Sequence, residues 1–227
     1  MLKNLTNLFF PKLCTNCKKL LLNNEKLLCI VCLQDLPFTN YHLYSKNKVA
    51  EKFYGILPIE FACSMLFFTQ DGVSQRLIHQ LKYKSKQEIG IFLGNLYAYD
   101  LKKVNYFKDV TSVIPVPLHK KKLKERGYNQ VESFAMAISK EINIAYNDKL
   151  LYRTRYSKTQ TIKNKENRSI NTKELFDINT NTLVEKHPHF LLVDDVITTG
   201  ATLESCVKAL LKIDNAKVSL VTIAFTV

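Results

Sequence analysis

The sequence predicts an α/β protein: an open, mostly parallel sheet with helices on both faces, preceded by a small N-terminal module built on four cysteines. Three observations carry this. Short apolar runs fit for strands alternate with stretches of helical period over residues 61–227. One such run, Phe190 to Val193, ends on two carboxylates and opens into a small hydroxyl-rich loop before a helix. Two Cys-x-x-Cys pairs fall within the first 37 residues, a stretch too short to build a core of its own. The chain therefore divides into a cysteine module (1–37), a connector (38–60) and an α/β domain (61–227).

The elements follow in order. In the module, Cys14-x-x-Cys17 is separated by a short loop from Cys29-x-x-Cys32. Two such knuckles facing each other offer four thiolates to one tetrahedral Zn²⁺, a closed structural site with no open position for catalysis. A disulfide pair or unconnected thiols are the competing readings. A redox Cys-x-x-Cys would be single and placed at a helix start. Leu36-Pro37 ends the module, and residues 38–60 show no clear period. Cys63 to Thr69 reads as a strand and Asp71-Gly72 as a turn. Leu77, Ile78, Leu81 and Tyr83 share one helix face; Ile91, Leu93, Leu96 and Leu101 mark a second helix. Thr111 to Val116 is a strand running into Pro115-Val116-Pro117, followed by a basic loop. After Gly127, a helix places Val131, Phe134, Ala135, Ile138 and Ile142 on one side. Residues 148–175 are basic and polar, with weak helical character around Lys163 to Asn171. Phe190 to Val193 is a buried strand, Ala201 to Ile213 a helix, and Lys217 to Val227 a last strand. Cys63 and Cys206, in apolar or helical surroundings, read as inert core residues.

Composition narrows the function classes. The chain has 227 residues, 46% hydrophobic and 23% charged, which excludes a wholly disordered, collagenous or coiled-coil protein. No apolar run reaches the ~20 residues of a membrane span; the most apolar stretch, Phe53 to Thr69, is broken by Pro58 and Glu60. The opening MLKNLTNLFFPKLC lacks the apolar core and cleavage site of a signal peptide, so a cytoplasmic protein is expected, and disulfides with it are disfavoured. The formal net charge is +13. The excess gathers in two blocks. One holds Lys120, Lys121, Lys122, Lys124 and Arg126; the other, between Lys149 and Lys173, includes Arg153, Arg155 and Arg168. Such blocks suit a polyanion, either nucleic acid or a phosphate-rich small molecule. A solvated, Lys-rich surface is the plainer alternative.

The stretch FLLVDDVITTGATLESC (190–206) carries the most chemistry. In open α/β sheets, ligands bind at the carboxyl ends of strands. Thr198, Thr199, Gly200, Ala201 and Thr202 lead into a helix N-terminus, presenting hydroxyls and backbone N–H groups that suit a phosphate dianion. Asp194 and Asp195 cannot hold phosphate themselves but suit the hydroxyls of a sugar attached to it. The ligand expected on these grounds is a ribose 5-phosphate unit. A plain helix cap would need only one such residue.

This stretch resembles the phosphoribosyl-pyrophosphate-binding signature of type I phosphoribosyltransferases. The segments LIHQLKY (77–83) and VIPVPLHKKKLKERGYNQVESFA (113–135) resemble the ComF family of late-competence proteins. So do the frame of Gln160, Arg168, Asn171 and Phe176 within residues 153–176, and the four-cysteine module. One departure is Ala201, where many members of the wider class carry Gly. The resemblance implies a type I phosphoribosyltransferase-like sheet, with Asp194 and Asp195 on the ribose hydroxyls directly or through Mg²⁺. It implies the 5-phosphate on residues 198–202, and pyrophosphate on the loop at Pro115, Val116 and Pro117. It also implies a mobile closing loop at KKKLKERGYNQ, from which Lys122, Lys124 or Arg126 would reach the leaving pyrophosphate. No general base stands out; His79, His119, His187 and His189 are candidates only by residue type. As a late-competence protein, the chain would handle single-stranded DNA in natural transformation, beside a competence helicase or another DNA-uptake protein. Lys120, Lys121, Lys122, Lys124, Arg126, Arg153, Arg155 and Arg168 would lie along the strand, with Tyr128, Tyr152 and Tyr156 as stacking faces. The alternative is an active transferase passing ribose 5-phosphate to a nitrogen nucleophile with release of pyrophosphate.

Overall fold

The computed structural model describes residues 11–154, 175–183 and 185–226. Five parallel strands form the sheet: β1 (Phe61–Phe67), β2 (Ser112–Pro115), β3 (Ala145–Tyr146), β6 (His189–Ile197) and β7 (Lys217–Phe225), in the spatial order β1-β7-β6-β2-β3. Nearly every residue of β1, β2, β6 and β7 is buried. That accounts for their almost unbroken apolar sequences, because a parallel sheet is covered on both faces.

The cover is visible in how side chains sort along β6. Leu191 and Val193 enter one core with helices α3 (Val73–Tyr83), α4 (Gln87–Leu101) and α6 (Glu132–Ile142). Phe190 and Leu192 enter a second core with helix α7 (Ala201–Leu210). Helices α4 and α6 cross closely because Gly94 has no side chain. A Cβ there would stand 2.6 Å from the Ala137 Cβ and 2.7 Å from the Phe134 carbonyl oxygen.

The cysteine module is tied into the first core through Cys14, Leu28, Cys29, Cys32 and Leu36, with Cys29 to Gln34 leading into and forming a short helix, α1 (Ile30–Gln34). Residues 38–60, aperiodic in sequence, are held at several points. Phe38 bridges to Leu66, and the Thr39 N–H donates to the Met65 carbonyl. The buried Asn47 caps a short helix, α2 (Lys48–Glu51), while its Nδ2 donates to the Ala62 carbonyl. Val49 and Phe53 then fill the second core.

Three local expectations are corrected. The strand that was to end at Val193 runs on to Ile197, because β7 supplies pairing partners as far as Phe225, so both acids lie within the strand. The basic segment is not a loop. It is the helix α5 (Lys120–Arg126), composed of good helix formers, with the His119 Nδ1 accepting the Lys121 N–H and Gly127 ending it at φ 76°. The span 148–175 begins with a strand: β4 (Leu151–Arg153) pairs antiparallel with β5 (Phe176–Ile178), forming a small ribbon over α7. The helical character expected around Lys163 to Asn171 lies outside the described residues.

Candidate functional site

The site is assembled at the C-terminal end of β6. There the Ile197 carbonyl accepts the N–H and hydroxyl of Thr226 (3.0 and 3.2 Å), which fastens the strand end to its neighbour. The chain then turns through exposed Thr198 and Thr199 to Gly200. Gly200 adopts φ +85°, and a Cβ on it would meet the Phe53 ring at 3.3 Å. The turn thus needs glycine for both its backbone and its support, and the supporting ring comes from the connector. The Ala201 N–H reaches the Thr199 Oγ1 at 3.4 Å, and α7 begins. Thr198, Thr199, Ala201 and Thr202 all face solvent. At this end the first N–H groups of α7 have no carbonyl within the helix to accept them. The arrangement can receive an anion.

Strand alternation sends the two acids to opposite faces. Asp194 lies in register with Thr222 and Ser64 and belongs to the α7 side; its field reaches Arg153 on β4 and Cys206 on α7. It is partly buried, its Oδ1 accepts the Asp195 N–H at 2.8 Å, and its carboxyl is pushed up to about 8 by burial and then by the charge of Asp195. Asp195 is 6% exposed and turned toward α3 and α6. Its Oδ1 pairs with the Lys82 Nζ at 3.0 Å, and its Oδ2 accepts from the Gln130 Nε2 at 2.6 Å.

The loop after β2 lies beside this strand end. The Val116 N–H donates to the Val193 carbonyl at 2.8 Å, and the Val116 carbonyl accepts from the Asn129 Nδ2 at 3.0 Å. Val116 is buried, while Pro117 is partly exposed. The residues Arg126 to Gln130 each have an identifiable job. Arg126 lies over the Tyr83 ring at 5.1 Å and donates to the Gln130 Oε1 at 2.8 Å. Gly127 ends α5. The Tyr128 hydroxyl donates to the Leu81 carbonyl, Asn129 ties down the β2 loop, and Gln130 holds Asp195.

Several expected roles change accordingly. Arg126 is engaged with Gln130 and Tyr83. Tyr128 is 9% exposed, so its ring is no stacking face; its hydroxyl serves an open carbonyl at the end of α3. Tyr152 is exposed, as are Lys120, Lys121 and Lys124, with Lys122 partly so. Arg153 stacks on Phe176 at 5.2 Å, on the Asp194 side. Arg155, Arg168, Tyr156, Gln160 and Asn171 lie outside the described residues. His189 is buried at the opposite end of β6, where its Nε2 meets the Ser219 Oγ at 2.9 Å, and His79 and His187 are surface residues. Lys82 and Gln130 escaped the sequence reading as site residues. The only available signal was that each falls inside a segment resembling the family. Cys63 and Cys206 are wholly enclosed, and burial pushes the Cys63 thiol up to about 12, consistent with inert core residues.

The second cluster is the cysteine module. Among the described residues, the sulfur atoms of Cys14, Cys17, Cys29 and Cys32 all lie within 4.8 Å of one another, and this group could hold a metal ion. The Cys17 and Cys29 sulfurs are 3.7 Å apart. That is too far for a disulfide and close to the ~3.8 Å edge of a tetrahedron with 2.3 Å metal–sulfur bonds. The Cys29 N–H points at the Cys14 Sγ (3.4 Å), and the Asn16 Nδ2 at the Cys32 Sγ (3.2 Å). Burial opposes ionisation of Cys14, but the surrounding backbone N–H groups draw its thiol down to about 6. A donor set of this kind fits a thiophilic cation.

Residues 132–226 match the phosphoribosyl transferase domain family. Among curated proteins, Competence protein F of Haemophilus influenzae is 30% identical over 140 residues, 60% of this chain and 61% of that protein. The DNA utilization protein YhgH of Shigella flexneri is 29% identical over 139 residues, 60% of each chain. The match therefore spans about three fifths of the length of these relatives. Among solved structures, the adenine phosphoribosyltransferase of Leishmania tarentolae overlaps 84% of this chain and 94% of its own, at 14% identity and a TM-score of 0.39, too loose to carry weight. No helix among the described residues is long and apolar enough to cross a membrane.

Proposed function

We propose that this protein, whose residues 132–226 match the phosphoribosyl transferase domain family and which is similar to Competence protein F, is a ComF-type protein that binds phosphoribosyl pyrophosphate with Mg²⁺ and handles single-stranded DNA in the cytoplasm during natural transformation. The observation that carries the ligand is a turn with Thr198, Thr199, Ala201 and Thr202 exposed, two residues after a pair of carboxylates at the end of a central strand. The 5-phosphate rests on the loop and the helix N-terminus behind it. The ribose hydroxyls meet the carboxylate side of β6, and the pyrophosphate lies toward Pro115, Val116 and Pro117. Mg²⁺ neutralises pyrophosphate charge while keeping water ligands, as a hard cation does. Zn²⁺ occupies the four thiolates as a structural ion.

For the DNA, α5 offers Lys120, Lys121, Lys122 and Lys124, and the basic segment with Arg153, Arg155 and Arg168 adds charge along the same backbone. Tyr83 is 63% exposed, packed by His79 at 4.9 Å and by Arg126, and offers a stacking face that Tyr128 does not. A helicase or another DNA-uptake protein is the partner class this role calls for.

The test is a double substitution, Asp194→Asn with Asp195→Asn. Calorimetry should show loss of phosphoribosyl pyrophosphate binding with far-ultraviolet circular dichroism unchanged; retained affinity would remove the ribose assignment. A pyrophosphate-release assay on the unaltered protein then separates a ligand-binding DNA handler from an active transferase.

A further inference from the structure

We infer that Lys82 and Gln130 are positioning residues that hold the Asp195 carboxylate on the α3 and α6 side of the sheet, so that Asp194 alone is presented to the ribose. This rests on the ligand reading above and divides the acidic pair into two unlike members.

The geometry of Asp195 is that of a carboxylate already committed. Both its oxygens are taken, one by the Lys82 Nζ at 3.0 Å and one by the Gln130 Nε2 at 2.6 Å, and the residue is 6% exposed. Gln130 is itself fixed. Its Oε1 accepts from the Arg126 Nη1 at 2.8 Å, which leaves the amide only one orientation, with Nε2 toward Asp195. Arg126 thereby acts through Gln130. Lys82 is placed by its helix, whose end is tied down where the Tyr128 hydroxyl meets the Leu81 carbonyl. Asp194 differs on each count. It is more accessible, and it faces the helix that follows the phosphate loop. Among the described residues, the one hydrogen bond to its carboxylate comes from the next residue's N–H, which leaves acceptor positions for sugar hydroxyls.

Two adjacent carboxylates repel, and a ligand site that needs one must keep the other from competing for the same space. Alternation along β6 supplies the separation, and Lys82 with Gln130 maintains it. Removing Lys82 leaves a buried charge without its counterion, the costly half of breaking such a pair. The carboxylate must then take up a proton or shift, and in either case it disturbs the strand that carries Asp194.

The experiment is a cycle of variants titrated with phosphoribosyl pyrophosphate and Mg²⁺, each checked by thermal melting. Lys82→Met should weaken binding roughly tenfold or more, Lys82→Arg about threefold at most, and Asp195→Asn roughly three- to tenfold. The decisive member is the double variant Lys82→Met with Asp195→Asn. If Lys82 acts through Asp195, the neutral amide needs no counterion, and the double variant returns to the affinity of Asp195→Asn alone. Losses that multiply would show that Lys82 touches the ligand itself. Wild-type affinity in Lys82→Met would show that the pair only supports the fold. Either result overturns the assignment. Should Lys82→Met fail to fold, Lys82→Gln takes its place in the cycle. Failure of the unaltered protein to bind would instead overturn the ligand reading, and this inference with it.

Discussion

Asp194 sits where burial and the neighbouring carboxylate both oppose its charge, while Lys82 and Arg153 only partly offset them. Its carboxyl, raised from an ordinary value near 4 to about 8, makes the free protein pH-sensitive. Between those values the native state keeps a proton that the unfolded chain has released. The contribution of this one group to stability is therefore greatest below about 4 and is lost as pH rises toward 8. Asp194→Asn should remove that loss, leaving the variant more stable than the parent at pH 8 by on the order of 1–2 kcal/mol. Urea midpoints across pH 5 to 8 would check this; parallel curves for the two proteins would contradict it. At this scale much of the site was legible, because Asp194 through Thr202 are contiguous and their chemistry is local. The partners of Asp195 were not. Lys82 reaches it from a helix and Gln130 from the turn before another, over sequence separations that no periodicity measures, and their charge and amide look like surface residues in a row of letters. Tyr128 misled for the same reason, since an aromatic beside basic residues reads as a stacking face until its hydroxyl is seen to close a helix end.

The helix α3 joins the two clusters. Near its start, the Arg76 Nε donates to the Asn16 Oδ1 at 2.6 Å, and Asn16 in turn donates to the Cys32 sulfur. One turn on, the Gln80 Nε2 donates to the Thr15 carbonyl at 3.1 Å. Two residues later Lys82 reaches Asp195. A thiolate cluster that loses its metal must rearrange four mutually repelling or reprotonated sulfurs. Cys29→Ser should release zinc, lower the melting temperature and, through α3, weaken phosphoribosyl pyrophosphate binding roughly three- to tenfold. Metal content by emission spectroscopy and calorimetry on the same sample would test both halves; unchanged metal content would show that the knuckle is misread. The crossing of α4 and α6 gives an independent check on packing. Gly94→Ala should destabilise by about 1–3 kcal/mol, because its new methyl would meet backbone that cannot yield. The helices α3, α4, α6 and α7 were legible from their apolar faces. The basic helix α5 was not, since it has no buried face and is specified by its caps, and β4 and β5 are too short to show a period.

Across the whole molecule, a parallel sheet holds one core on each side, and the chain's positive charge, +13 overall, is displayed in part on α5 beside the β2 loop. That distribution predicts steeply salt-dependent single-strand binding. Reversing Lys120, Lys121 and Lys124 to Glu should weaken it and lower the slope of log affinity against log salt by about 0.7 for each phosphate that is no longer neutralised; an unchanged slope in fluorescence anisotropy would move the DNA off this helix. The α/β architecture was readable because strand and helix patterns alternate along the chain. The way the connector props the turn at Thr198 to Thr202, with Phe53 against Gly200, was not, because packing between a connector and a distant turn leaves no periodic trace. The roles proposed for Asp194, the Thr198–Thr202 turn and the Lys82–Asp195 pair depend on one ligand. Calorimetric titration of the full chain with phosphoribosyl pyrophosphate and Mg²⁺ tests it most directly: saturable binding that disappears in Asp194→Asn is the predicted result, and no binding, or binding indifferent to that substitution, would contradict it.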